Sequence, residues 1–126
     1  MTTIGNAAFR YCSGLTSVTL SNSINGLGTY LFGNCTGLTS IEIPSSVNTI
    51  MANAFNGCSN LAVFDFHNHT RVPTLANYSA FSGTPANKKI VVPDDLYESW
   101  KTATNWSSSN YNIVNSIVKY SDYINT

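Results

Sequence analysis

The sequence predicts an α/β repeat solenoid, and three observations carry that prediction. Cys12, Cys35 and Cys58 stand 23 residues apart (35−12, 58−35). The same step links Ile4 to Leu27 to Ile50, Phe9 to Phe32 to Phe55, Leu15 to Leu38 to Leu61, Val18 to Ile41 to Phe64, and Leu20 to Ile43 to Phe66. Within each copy one short stretch alternates apolar and polar residues. A fixed period between about 20 and 50 residues marks units that stack because none can bury its apolar face alone.

The alternating stretch is Leu15-Thr-Ser-Val18-Thr-Leu20, repeated at Leu38–Ile43 and Leu61–Phe66. Period two with β-branched residues predicts a strand in each copy, and rungs about 4.8 Å apart once the copies stack. Ile4 to Cys12, with small residues around an inward Phe9, predicts a return path made of a short helical turn or an irregular arc. Pro44 follows the second strand, where a missing N–H does no harm.

The pattern Leu-x-x-Val-x-Leu, then Ile24 or Val47, then Ile-Gly-x-x-Ala-Phe-x-x-Cys-x-x-Leu, resembles the BspA-like leucine-rich repeat family. The stretch Ile43 to Ile50, continued by Ala54-Phe55-Asn-Gly-Cys58-Ser-Asn-Leu61, is similar to a near-consensus repeat. Ala80-Phe81-Ser-Gly-Thr-Pro85, then Ile90-Val-Val-Pro93 and a Trp-containing tail, resembles the way many bacterial members end. The resemblance implies a right-handed array with one parallel β-sheet, short arcs on the convex side and a helical cap. It also implies surface-exposed, ligand-binding or adhesive roles.

The domain reading is a solenoid over 1–93 and a C-terminal cap over 94–126. The solenoid holds three regular repeats at 4–66 and a degenerate last coil at 67–93. In that coil Ala80-Phe81 replays Ala54-Phe55 after 26 residues (81−55), so a bulged loop is expected between His67 and Asn77. Lys89 to Pro93 replays the strand Glu42-Ile43-Pro44 and is expected to be the last. Asp95 with Glu98 fits a capping box, with Asp94 as the rival cap. Leu96, Trp100 and Ala103 share a helical face, so Leu96, Trp100 and Trp106 are expected to lid the core. The alternative for these aromatics is a carbohydrate site. Tyr111 to Val118 suits a short strand or a helical turn, and Tyr120 to Thr126 a loose polar tail.

Composition excludes several functions. Net charge is zero and only 10% of residues are charged. The chain therefore has no basic stripe for nucleic acid and no polybasic arm for anionic lipid. No apolar run approaches the roughly 18 residues of a membrane span, so no membrane insertion is expected. No secretory signal stands at Met1. The chain opens inside a repeat and reads as the C-terminal piece of a longer array, a cell-surface or secreted protein whose signal lies upstream. The uncapped first coil would expose an apolar edge, an expected route to self-association.

No catalytic or cofactor motif occurs, and the chain is not expected to be an enzyme or to hold a cofactor. The cysteine column offers a disulfide or metal reading, but parallel side chains near 4.8 Å suit neither, so reduced apolar fillers are expected. His67 and His69 would share a strand face with Asp65 as a metal pair; a solvated loop is the competing expectation. Asn34, Asn68, Asn77 and Asn105 open formal N-glycosylation signals, which matter only in a eukaryotic secretory pathway.

What remains is the outward face of the strands. Parity places Ser17, Ser40, Val63 and Lys89 in one row, and Thr19, Glu42, Asp65 and Val91 in the next. These eight residues are the expected binding surface, and a host or matrix protein is the expected partner. A structural spacer with no ligand of its own is the competing expectation.

Overall fold

The computed structural model describes residues 6–125, and each coil in it is built against the next. The phenylalanine column shows this most directly. Phe9 and Phe32 stack at 5.7 Å between centroids with planes 7° apart, and Phe32 and Phe55 at 5.9 Å and 8°. Phe81 continues the column on Phe55 at 5.9 Å. The arcs are tied by main-chain bonds across coils: Ala7 N–H donates to Thr29 O, Phe9 N–H to Leu31 O, and Tyr11 N–H to Gly33 O.

Two parallel sheets result. The larger contains β2 (Ser40–Glu42), β4 (Val63–Asp65), β6 (Lys89–Val92) and β7 (Ile117–Lys119), in that order. Ile41 lies opposite Phe64, Phe64 opposite Ile90, and Ile90 opposite Ile117. The smaller sheet joins β1 (Gly26–Leu27), β3 (Thr49–Ile50) and β5 (Thr74–Leu75). The single expected sheet is thus corrected to two. The strands of the smaller sheet have two residues each, too short for alternation to announce them. Leu27, Ile50 and Leu75 point inward and are buried.

The first expected strand does not form. Residues 15–20 make no main-chain hydrogen bond to β2 among the described residues, although the arcs on the other side are joined. Leu15 and Val18 stay half-exposed, whereas Leu38, Ile41, Leu61 and Phe64 are buried. Closing this rung would therefore gain less apolar burial than closing the others.

The insertion lies where the period degrades. β3 pairs with β5 at an offset of 25 (74−49), and Phe55 stacks on Phe81 at an offset of 26. Two of the extra residues thus precede Thr74, and the third lies before Phe81. His69, expected on a solvated loop, is buried in this coil. Its Nε2 meets Val47 O at 3.0 Å, and its ring packs on Phe66 and Trp100.

The closing segment carries more than a helical lid. A 3-10 turn (Asp94–Leu96) leads into α1 (Tyr97–Thr102), with no side-chain cap on either. The expected capping box is absent because the turn makes Leu96 the residue before the helix. Trp100 and Trp106 are fully buried, 5.4 Å apart, and both contact Phe66. That burial supports the lid and leaves no face for a sugar. The chain then forms α2 (Ile113–Ser116), β7 and α3 (Tyr120–Ile124). Hence β6 is not the last rung, and the segment expected as a loose tail is helical. Lys88 ties this segment to the last coil: its buried Nζ donates to Tyr111 O at 2.5 Å and Pro85 O at 3.2 Å. Burial pulls its pKa down to about 8.

Among the described residues the arcs contain no helix through the first three coils and turn on left-handed residues instead. Ala7, Tyr30 and Asn53 form one positive-φ column, and Tyr11, Asn34 and Gly57 another, with Gly83 beyond. Tyr11 is 65% exposed, so its ring offsets little of the cost of its φ of 65°. Tyr11→Asn should stabilise the chain by about 0.5–1 kcal/mol, since Asn tolerates this region. Gly57→Ala should cost about 1–2 kcal/mol, because φ is +80° and a Cβ there would crowd the Asn34 side chain. Chemical denaturation measures both, and equal shifts would remove the left-handed requirement.

Burial also lowers the pKa of His69 below its ordinary 6.5. In the window under pH 6.5 the unfolded chain binds a proton that the folded chain does not. Stability should therefore fall as pH drops through that window and be fully present above it. His69→Gln should flatten the pH dependence of urea midpoints between about pH 5 and 6.5; unchanged slopes would assign the proton elsewhere.

Candidate binding face of the larger sheet

Alternation fixes which side chains leave the core. In β2 the burial pattern is exposed, buried, exposed. Pairing then sets the rows: Ser40 opposite Val63 opposite Lys89, and Glu42 opposite Asp65 opposite Val91 opposite Val118. Ser40, Glu42 and Lys89 are exposed, and Val63 and Asp65 half-buried. Ser17 and Thr19 are exposed but lie off the sheet. A cavity of about 270 Å³, lined by Thr19, Leu20, Asn22 and Glu42 among others, opens between that stretch and β2.

Val91 sits in the expected row but is fully buried, so it is withdrawn from the candidate surface. Helix α3 packs on β6 and β7. Its first residue, Tyr120, stacks on His67 at 4.3 Å with planes 10° apart. Ser121 N–H donates to Asp94 Oδ1 at 3.0 Å, and the Ser121 side chain first, then this main-chain bond, hold the Asp94 carboxyl below its ordinary range. Sequence reasoning missed this latch. The available signal was the parity of His67, two residues after Asp65 and therefore on the same side.

The carboxylates on the face are organised by the next coil. His67 Nδ1 lies 2.6 Å from Asp65 Oδ1, which also accepts His67 N–H at 2.9 Å. Asn68 Nδ2 donates to Glu42 Oε1 at 3.3 Å. The two histidines diverge, His67 outward and His69 inward, so they do not form a metal pair. No group of three His, Cys, Asp or Glu among the described residues is placed to hold a metal ion. Asn105, a formal glycosylation acceptor, donates its Nδ2 to Leu75 O at 2.7 Å.

The cysteine column has a hydrogen-bonding role. Cys35 Sγ–H donates to Phe9 O at 3.0 Å and Cys58 Sγ–H to Phe32 O at 2.9 Å. All three cysteines are free, and burial pushes the Cys58 thiol up to about 12 and the Cys35 thiol up as well. Cys35 and Cys58 are therefore buried, protonated thiols rather than nucleophiles.

If Tyr120 anchors α3 through His67, then Tyr120→Ala and His67→Ala should each cost about 1 kcal/mol, and the double variant little more than either. A thermodynamic cycle by chemical denaturation reads this; additive losses would separate the two rings.

The family model described as BspA type leucine-rich repeat region (6 copies) matches residues 1–122. No curated protein and no solved structure gives a significant match. No helix among the described residues is long and apolar enough to cross a membrane. One repeat model covers nearly the whole chain, and its columns stand in register, so the chain belongs to the BspA-type leucine-rich repeat family.

Proposed function

We propose that the chain is a non-catalytic cell-surface module that binds or adheres through the outward face of the larger sheet, using Ser40, Glu42, Val63, Asp65 and Lys89. The observation that carries this reading is the register of the two outward rows, which sets these side chains side by side on rigid backbone. Leucine-rich repeats of this type are surface repeat modules, often protein-binding and typically without catalytic residues. The coils are read as right-handed, the hand that crossovers between parallel strands favour. The chain divides into a repeat region over 1–93 and a closing segment over 94–126.

A host or matrix protein is the partner that fits this face, and its area limits the contact. Four strands about 4.8 Å apart and roughly 10 Å long give on the order of 200 Å², against about 800 Å² per partner in a stable complex. Affinity therefore comes from many copies on one surface rather than from one face. The half-exposed Leu15 and Val18 offer a route to self-association at the same end.

The spacer reading is favoured by one observation, the burial of Val91, which shortens the face. Charge reversal separates the readings. Beads carrying many copies of the chain are passed over immobilised matrix proteins. Glu42→Lys with Lys89→Glu should lower retention about tenfold if the face binds. Retention equal to the parent's would assign the chain to the spacer role.

A further inference from the structure

We propose that a groove along the smaller sheet binds a short linear acidic oligosaccharide through Asn25, Asn48, Thr49, Met51, Arg71 and Thr74. Two cavities of about 380 and 330 Å³ share Asn48 and Thr49 as lining, so they adjoin along β1, β3 and β5. Each lies in the range of small-ligand sites, about 300–1,000 Å³. Gly26, Thr49 and Thr74 stand opposite one another along the groove, and Gly26 leaves its first position open. This site lies on the other sheet and is independent of the binding face proposed above.

The polar groups here are uncommitted to the fold. Asn48 Oδ1 accepts the Thr49 hydroxyl at 3.3 Å, while its Nδ2 has no acceptor among the described residues. The Asn25 side chain makes no hydrogen bond among the described residues. Arg71 is exposed and has no carboxylate partner among the described residues, where the ion pair found joins His67 to Asp65. The loop insertion brings Arg71 to the groove: β1 and β3 pair at an offset of 23 (49−26), β3 and β5 at 25 (74−49). The two extra residues fall between Phe66 and Thr74, the stretch that carries Arg71.

Chemistry then selects the ligand. Amide and hydroxyl groups each offer a donor and an acceptor, which suits a ring bearing vicinal hydroxyls. An unpaired guanidinium suits a carboxylate, which it can take with two parallel bonds. Met51, 40% exposed, offers an adaptable apolar wall to the C–H face of a sugar. Rungs repeat at about 4.8 Å, close to one pyranose per rung, whereas an extended peptide crossing them presents same-side residues every ~6.6 Å and falls out of step.

The test uses the ¹⁵N-labelled chain titrated with trigalacturonate and with its methyl ester, which keeps the rings and removes the charges. The side-chain amide signals of Asn25 and Asn48 should shift with trigalacturonate at a Kd of about 1 mM, and the ester should bind about tenfold more weakly. Arg71→Gln should weaken trigalacturonate about tenfold and leave the ester unchanged. Gly26→Thr should abolish binding of both with Tm preserved, because a Cβ there meets only Thr49 O at 3.6 Å, an ordinary contact. Three results would each overturn the proposal. One is no shift of the two amides at about 20 mM trigalacturonate, roughly twentyfold above its expected Kd. The others are equal trigalacturonate affinity in Arg71→Gln, or shifts that persist in a folded Gly26→Thr.

Discussion

Every coil of this chain lacks one wall, and the phenylalanine column supplies it. The Phe9, Phe32 and Phe55 rings lie nearly parallel, each flat against the next. Such contact is available only if successive arcs superpose. The carbonyls of the same residues fix the superposition further. Phe32 O accepts Cys35 N–H within its own coil and Cys58 Sγ–H from the next. Cysteine suits that position because it is small, apolar and still carries a weak donor. Serine would donate more strongly but is harder to bury, and alanine would leave the second lone pair of the carbonyl unmet.

Stacking has to stop, and the two sheets stop differently. Past β5 no further rung joins the smaller sheet; instead Trp106 Nε1 donates to Pro73 O at 2.9 Å and Asn105 Nδ2 to Leu75 O at 2.7 Å. Those are the carbonyls a next strand would have engaged, so two side chains satisfy the edge and blunt it. The larger sheet gains β7 instead, and α1 and α3 pack against that strand. Lys88 ties the closing segment to the last coil from inside, its ammonium held between the carbonyls of Pro85 and Tyr111. Its lowered pKa records the cost of that burial.

The parts legible in sequence are those where period and parity act together. A step of 23 fixes which residues superpose, and alternation fixes which point out. The rows Ser40–Val63–Lys89 and Glu42–Asp65–Val91 follow from those two rules and from the offset of 26 at the last coil. The illegible parts depend on contacts between distant residues. Tyr120 lies in a short polar stretch with no pattern of its own, and its place follows from a histidine ring 53 residues earlier (120−67). One left-handed column carried a signal in Gly57 and Gly83, but Tyr11 stands at the equivalent position in the first copy and masks it, and Ala7 and Tyr30 mask the other column. The smaller sheet was hidden by strands of two residues.

Closure and exposure compete for the same face. α3 packs on β6 and β7 at the end of the array, and Val91, an outward position of β6, is buried there. The free part of the larger sheet is therefore displaced toward β2, where Ser40 and Glu42 are exposed and the neighbouring stretch 15–20 does not close the ladder. The smaller sheet does not meet this conflict, since its edge is finished by two side chains that leave its outward row of Gly26, Thr49 and Thr74 uncovered. Two sheets that end by different means thus leave two surfaces of different chemistry. One is short and carries opposed charges on rigid rungs; the other is recessed and lined with amides and hydroxyls.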